Sequence, residues 1–282
     1  MRIAPPPPSL RLLLLGMRMR IAERRRVLAL SIVVWALLAA SVSTFIGGIA
    51  STRERAIADR ATLTIAEVQD RVGTTLSSFS EEQMTVFFED VWQAYRTGVA
   101  SQDSEASLSI LYMATVGPPA LALAALQMTL LFLAYAYFMM VVQRSPDATM
   151  ADLLRSTPVL AVRMLFLGVW IMLRSFCWVP FFGPFFALWY HPRMLRAPGI
   201  LASGRAGVLA SVRQSIDRSR GQWVPMLGRL LAFVAMTIVV LWCAMSIASI
   251  VAVLSPKIGY LLFMAGVFSL QMLVAAFLSE VA

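Results

Sequence analysis

Residues 24–50 read RRRVLALSIVVWALLAASVSTFIGGIA. Three arginines are followed by a run, Val27 to Ala50, without a single charged side chain. A helix rises ~1.5 Å per residue, so ~20 predominantly apolar residues cross a bilayer core. The run is therefore a first membrane span. Its end, Gly48-Ile49-Ala50, has the spacing of a signal-peptide cleavage site. Signal-peptide apolar cores are ~7–15 residues long, however, so an uncleaved anchor is expected. Arg24, Arg25 and Arg26 hold the leading end inside, because cytoplasmic loops carry the basic excess.

The rest of the chain repeats this alternation of charge and apolar runs. Of 282 residues, 59% are hydrophobic and 14% charged, with a mean hydropathy of +0.76. Soluble domains average ~25% charged residues, and a chain so poor in polar side chains cannot clothe a water-soluble globule. A soluble enzyme domain, a disordered tail and a disulfide scaffold are excluded. Residues 1–26 hold seven Arg and one acid, and form a basic, partly disordered cytoplasmic N-terminus. Residues 51–105 hold ten acids and five Arg, a net of −5. Residues 193–229 hold seven Arg against Asp217 alone. The overall +9 thus records orientation rather than affinity for nucleic acid. A nucleic-acid face would interleave its basic residues with exposed aromatics, and here the aromatics lie mostly in the apolar runs.

The expected fold is an all-α polytopic membrane bundle of about six transmembrane helices, with both termini in the cytoplasm. The spans are 27–50, 119–142, two within 159–200, 225–254 and 258–279. Gly117-Pro118-Pro119 sets the start of the second span, since proline suits a first helical turn and breaks an interior. The stretch 159–200 is interrupted by Arg163 and Arg174 and broken by Pro180, Gly183 and Pro184. It either crosses twice or forms a re-entrant hairpin. Residues 143–158 make an inner loop, and Ser255-Pro256-Lys257 an outer turn.

Outside the membrane, 51–118 is an acidic helical segment. Ile57, Ala61, Ile65, Val68 and Val72 recur at helical spacing, as do Met84, Phe87 or Phe88, Val91 and Tyr95. Ser80 with Gln83 forms a capping box and Gly98 a stop. The segment is expected to be a helical hairpin that packs on itself and the membrane surface; the alternative is that 81–96, through Phe87, Phe88, Trp92 and Tyr95, docks an outer protein partner or lipid headgroups. Residues 1–16, which include Pro5 to Pro8, are expected to lack fixed structure. The piece 201–224 is a basic amphipathic connector. Val208, Val212 and Ile216 share one face, and Arg213, Asp217 and Arg220 another, with Arg213 and Asp217 paired four residues apart. Anionic lipid at the inner face is the expected partner.

The chemistry inventory is short. His191 is the only histidine, Cys177 and Cys243 lie in apolar runs, and nucleotide, hydrolase and metalloprotease motifs are absent. No cofactor, metal or catalytic residue is expected. No carboxylate falls inside a span, which disfavours an ion-coupled carrier. Gln127 and Gln271 are candidates for interhelical hydrogen bonds. Arg174, Arg213, Arg218, Arg220 and Trp223 are the candidate ligand or lipid contacts.

Ser215, Gly221, Trp223 and Leu227-Gly228, with Arg193, Pro198 and the Gly204–Gly207 turn upstream, form a pattern over about 159–280. It resembles the membrane domain associated with bacterial glycerophosphoryl diester phosphodiesterases. The resemblance implies a multi-span bacterial inner-membrane protein in which Gly221 ends a surface helix, Trp223 anchors at the interface and Gly228 permits close helix approach. Members that are enzymes carry a separate catalytic domain. This chain has no room for one, so phosphodiesterase activity is not implied. The functional expectation is a non-catalytic scaffold, partner subunit or lipid-interacting module. The alternative is a transporter or permease subunit with its site at 174–184.

Overall fold

The computed structural model describes residues 9–98, 105–143, 149–176, 190–204 and 206–281. Among them every regular element is helical: α1 (Leu10–Glu23), α2 (Arg25–Ala61), α3 (Ile65–Ser77), α4 (Glu81–Thr97), α5 (Glu105–Thr115), α6 (Gly117–Gln143), α7 (Met150–Phe176), α8 (Ala197–Ala202), α9 (Val208–Arg218), α10 (Trp223–Leu254) and α11 (Pro256–Val281). A further short helical stretch covers 190–194. Five stretches are long and apolar enough to cross a membrane: Arg25–Ala61, Glu105–Gln143, Ala151–Arg174, Trp223–Leu254 and Pro256–Val281. The chain is an all-α membrane protein. The break expected between two spans, Trp178 to Pro184, lies outside the described residues, as do Pro5 to Pro8 and Cys177.

The chain forms two compact units, Met1–Ala40 with Leu130–Ala282, and Ser41–Thr129. In the first, the second half of α6 is the central element. Ala134, Ala136, Tyr137, Phe138, Met139 and Val141 are each no more than 1% exposed. A helix apolar on all sides belongs where neighbours surround it. The Tyr137 hydroxyl lies 3.0 Å from Ser31 Oγ, which supplies a partner for that buried polar atom. α7 buries one face, Leu153, Leu160, Met164 and Leu167, and exposes Val162, Phe166, Val169 and Leu173. α10 likewise exposes Leu231, Ile238, Trp242, Ile250 and Val253. Soluble monomers rarely expose apolar patches above a few hundred Å². Faces that run the length of a helix are lipid-facing.

Residues 9–16 differ from expectation. They begin α1, with Ser9 accepting from the Leu12 amide, and Leu13 and Met17 are buried in the core. Leu10 to Leu15 is too short to span, yet one apolar stripe suffices to dock a helix. Arg20 forms an ion pair with Glu280, and its Nη1 donates to the Val142 carbonyl, 3.4 Å away. One guanidinium therefore ties α1 to the last turns of both α6 and α11.

In the second unit, α2 continues unbroken to Ala61, well past the end of its apolar run. Its 37 residues span about 55 Å at ~1.5 Å each, far more than the ~30 Å of a hydrocarbon core. Thr62 then takes a left-handed conformation, φ 55°. The Leu63 amide donates to the Ala58 carbonyl at 3.0 Å, a helix-ending closure. Ile57 and Ala61 therefore belong to α2, while Ile65, Val68 and Val72 belong to α3. The two helices still share one small core of Ile57, Ala58, Val68, Val72, Leu108 and Val116. Capping boxes at Thr64/Glu67 and Ser80/Gln83 start α3 and α4, and Gly98, φ 63°, ends α4.

Candidate functional site

The connector 190–222 holds most of the candidate residues. α9 buries Val212 together with Ser211, Ser215 and Ser219, all three serines at or below 1% exposure. Small residues four apart let a helix sit close to its neighbour; Ser211 Oγ donates back to the Val208 carbonyl, and the other two reach across. Ser215 Oγ donates to the Arg193 carbonyl at 2.6 Å, and Ser219 Oγ is 3.2 Å from the same oxygen. That carbonyl lies near the end of the 190–194 helical stretch, where backbone acceptors lack helical partners. The buried face is therefore narrower and more polar than the apolar stripe suggests. Val208 and Ile216 are half-buried beside it, and Leu209 is exposed.

Arg196 closes this arrangement. Its Nη1 donates to the Arg218 carbonyl at 3.0 Å, at the C-terminal end of α9. Its Nη2 donates to Gln222 Oε1 at 3.2 Å, and Nε is buried with no hydrogen-bond partner. A cation at a helix C-terminus is favoured by the helix dipole. Burial nevertheless lowers the Arg196 pKa from its ordinary value, with repulsion from Arg218 and Arg229 adding to it. Arg196, Ser211, Ser219 and Gln222 were not among the expected site residues, and Ser215 entered only through the family resemblance. The serine spacing of four was the available signal.

Of the candidate cations, Arg213 falls on the opposite side of α9, Arg218 is its last residue and Arg220 lies just past its end. Arg213, Arg218 and Arg220 are exposed. Asp217 pairs with Arg220 at 3.2 Å, three residues on, and not with Arg213 as its spacing suggested. Both partners of that pair are well exposed, so it contributes little. Gly221 at φ 73° turns the chain toward α10, whose first residue is Trp223. No atom lies within 4 Å of the position a Cβ would take at Gly228. The close approach expected there occurs elsewhere: a Cβ at Gly259 or Gly266 would run into Ala252 or Ala244.

Arg174, in the last turn of α7, has its guanidinium 5.4 Å from the Tyr190 ring centroid, a cation–π contact. Gln271 Nε2 donates to the Leu131 carbonyl at 3.0 Å, which joins α11 to α6; its Oε1 is buried without a partner. Gln127 is half-buried and engaged. In the second unit Phe87 is buried against Phe79, whereas Phe88, Trp92 and Tyr95 are exposed. Trp92 and Tyr95 stack at 5.8 Å, with Arg96 lying over Trp92.

Among the described residues no three His, Cys, Asp or Glu side chains group as metal ligands. Comparison with protein-family models, with curated proteins and with solved structures finds no match to this chain.

Proposed function

We propose that this is a non-catalytic integral membrane protein whose basic connector engages anionic lipid headgroups at the cytoplasmic face of a bacterial inner membrane. The observation that supports it is the opposite treatment of the arginines. Arg196 is spent on holding α9, while Arg213, Arg218 and Arg220 are exposed, Arg213 on the side of the helix away from its buried serines. Exposed Leu209 beside Arg213 suits a helix lying at the headgroup layer. In this reading the N- and C-termini are cytoplasmic, which requires an even number of crossings, so of the five apolar stretches Ala151–Arg174 enters the membrane as part of a re-entrant hairpin and does not cross it. The acidic unit is extracytoplasmic, and Phe88, Trp92 and Tyr95 within 81–96 offer a protein partner an exposed aromatic surface. The likeness to the phosphodiesterase-associated membrane domain belongs to the same proposal, without its enzymatic activity.

Native mass spectrometry of the full chain in mild detergent tests it. Phosphatidylglycerol and cardiolipin are expected to be retained over phosphatidylcholine. Each guanidinium contributes ~1 kcal/mol near anionic lipid, a factor of about five. Replacing Arg213, Arg218 and Arg220 together by Gln should therefore lower the number of anionic lipids retained per chain. Equal retention before and after substitution would overturn the proposal. Reporter fusions near residues 75 and 210 should lie on opposite sides of the membrane.

The transporter alternative rests on Arg174 near the broken segment. Its contact with Tyr190 gives that guanidinium a structural task. A transport phenotype lost in Arg174→Lys at normal expression would favour the alternative.

A further inference from the structure

The acidic unit contains a cleft of about 390 Å³ whose lining contradicts the charge of its surroundings. Residues 51–105 carry ten acids and five Arg. Two of those arginines, Arg53 and Arg60, line the cleft, and no acid does. The two stand seven residues apart on α2, two helical turns, so their guanidiniums mark one wall at separations of about 10 Å. Between them Ala56 and Ile57 form an apolar floor, with Leu111 of α5 and the Tyr95 ring of α4 also lining the cleft. Arg53 Nη1 donates to the Thr115 carbonyl at 2.7 Å, which fixes its position. Most of its five N–H donors remain. Arg60 makes no hydrogen bond or ion pair among the described residues.

The depth of the cleft follows from the same helices. Arg53 is the first charge after the apolar run that ends at Ala50, and Thr115 lies in the uncharged stretch 106–143, just before its break at Gly117-Pro118-Pro119. With the outer ends of the spans set at Ala50 and Gly117, the lower end of the cleft would meet the boundary of the hydrocarbon and Arg60 the headgroup zone. A water-soluble anion would not need the apolar floor, and an uncharged lipid would leave the arginines without a counter-charge.

We propose that this cleft binds one anionic phospholipid of the adjoining leaflet. Its phosphate lies between Arg53 and Arg60, and its glycerol and upper methylenes lie on Ala56, Ile57 and Leu111. The Tyr95 ring covers the headgroup side. This site is separate from the connector of α9, and neither requires the other.

The test uses the full chain in nanodiscs containing phosphatidylglycerol with a photoactivatable headgroup, and crosslinked peptides are mapped by mass spectrometry. Crosslinks are expected within 53–60 and 94–98. Arg60→Gln removes an exposed side chain with no structural partner and should lower them about fivefold. Arg60→Lys should keep most of the signal, and Arg213→Gln with Arg218→Gln and Arg220→Gln should leave it unchanged. Ala56→Trp, which fills the floor without altering charge, should lower it as well. Crosslinks distributed evenly over the unit, or insensitive to both Arg60→Gln and Ala56→Trp, would overturn the assignment. So would displacement by millimolar inorganic phosphate, which would make the ligand a free anion.

Discussion

The seam between α10 and α11 gives the sharpest quantitative test of the fold. A Cβ built on Gly259 falls 2.5 Å from Ala252 Cβ, 2.7 Å from Ala252 Cα and 2.8 Å from the Ala248 carbonyl. Non-bonded carbons settle at about 3.5–4.0 Å. Two of the three obstructing atoms are backbone, so no side-chain rotation clears the clash and the helices must separate by roughly 1 Å. A gap of ~0.5–1 Å forfeits a quarter to a half of each dispersion contact along the seam, and overpacking typically costs ~1–3 kcal/mol. Alanine's better helix propensity returns up to ~1 kcal/mol. Gly259→Ala should therefore destabilise the chain by a net ~1–2 kcal/mol, a factor of about 5 to 30 in the folded ratio.

Gly266 makes a different case. There the only atom nearer than 3.0 Å is Ala244 Cβ, at 2.6 Å. Gly266→Ala should be rescued by Ala244→Gly, whereas Ala252→Gly should rescue Gly259→Ala only in part. Gly228→Ala, with no atom within 4 Å, serves as the control and should be neutral or slightly stabilising. Reversible unfolding in mixed micelles, followed by tryptophan fluorescence with all double mutants included, measures each term. Equal stabilities for the Gly259 and Gly228 variants, or no coupling between positions 244 and 266, would refute the packing argument.

Ser215→Leu places a bulky side chain where Ser215 is fully buried and should cost ~1–3 kcal/mol. Ser215→Ala loses only the bond to the Arg193 carbonyl, about 1 kcal/mol. Trypsin should cut after Arg213 and Arg218 in that order of ease: Leu variant, Ala variant, parent. Gln271→Leu should be nearly neutral, below ~1 kcal/mol, because it removes one bond to a mid-helix carbonyl and also an unsatisfied Oε1; a larger loss would mean that the contact carries more than packing. Glu67 accepts from the Thr64 amide and hydroxyl, which lowers its pKa from its ordinary value. The cap's contribution is therefore complete above the unfolded carboxylate pKa and is lost as pH falls through the lower, folded value. A carboxyl-carbon titration by NMR should place Glu67 below a free glutamate, and Thr64→Val should move it back up.

Much of this structure is written locally. Val27 to Ala50, Leu230 to Pro256 and Ile258 to Ser279 are apolar for longer than any soluble element needs, so their helices follow from composition and bilayer thickness alone. Ser80 with Gln83, and Gly98 after α4, are caps that depend only on neighbours within a turn. The Gly117-Pro118-Pro119 start of α6 is equally local. These features are satisfied within one segment, whatever the rest of the chain does.

What packs against what was settled only in three dimensions. α1 is a helix because Leu13 and Met17 find a core and Arg20 finds Glu280, some 260 residues away. Nothing within residues 9–23 announces those partners. On α9 the apolar stripe pointed to Val208 and Ile216, yet the close neighbour demanded the smallest side chains, and the serines took the buried face. Gly228 looked like a packing glycine and has open space, whereas Gly259 and Gly266 face Ala252 and Ala244 across the hairpin. Arg53 and Arg60 read as two charges in an acidic segment until α4 and α5 closed a cleft around them. Apolar length and capping are one-segment energies and can be read from the sequence. The choice of face, seam and cleft depends on the shape of a second segment, and that shape exists only after folding.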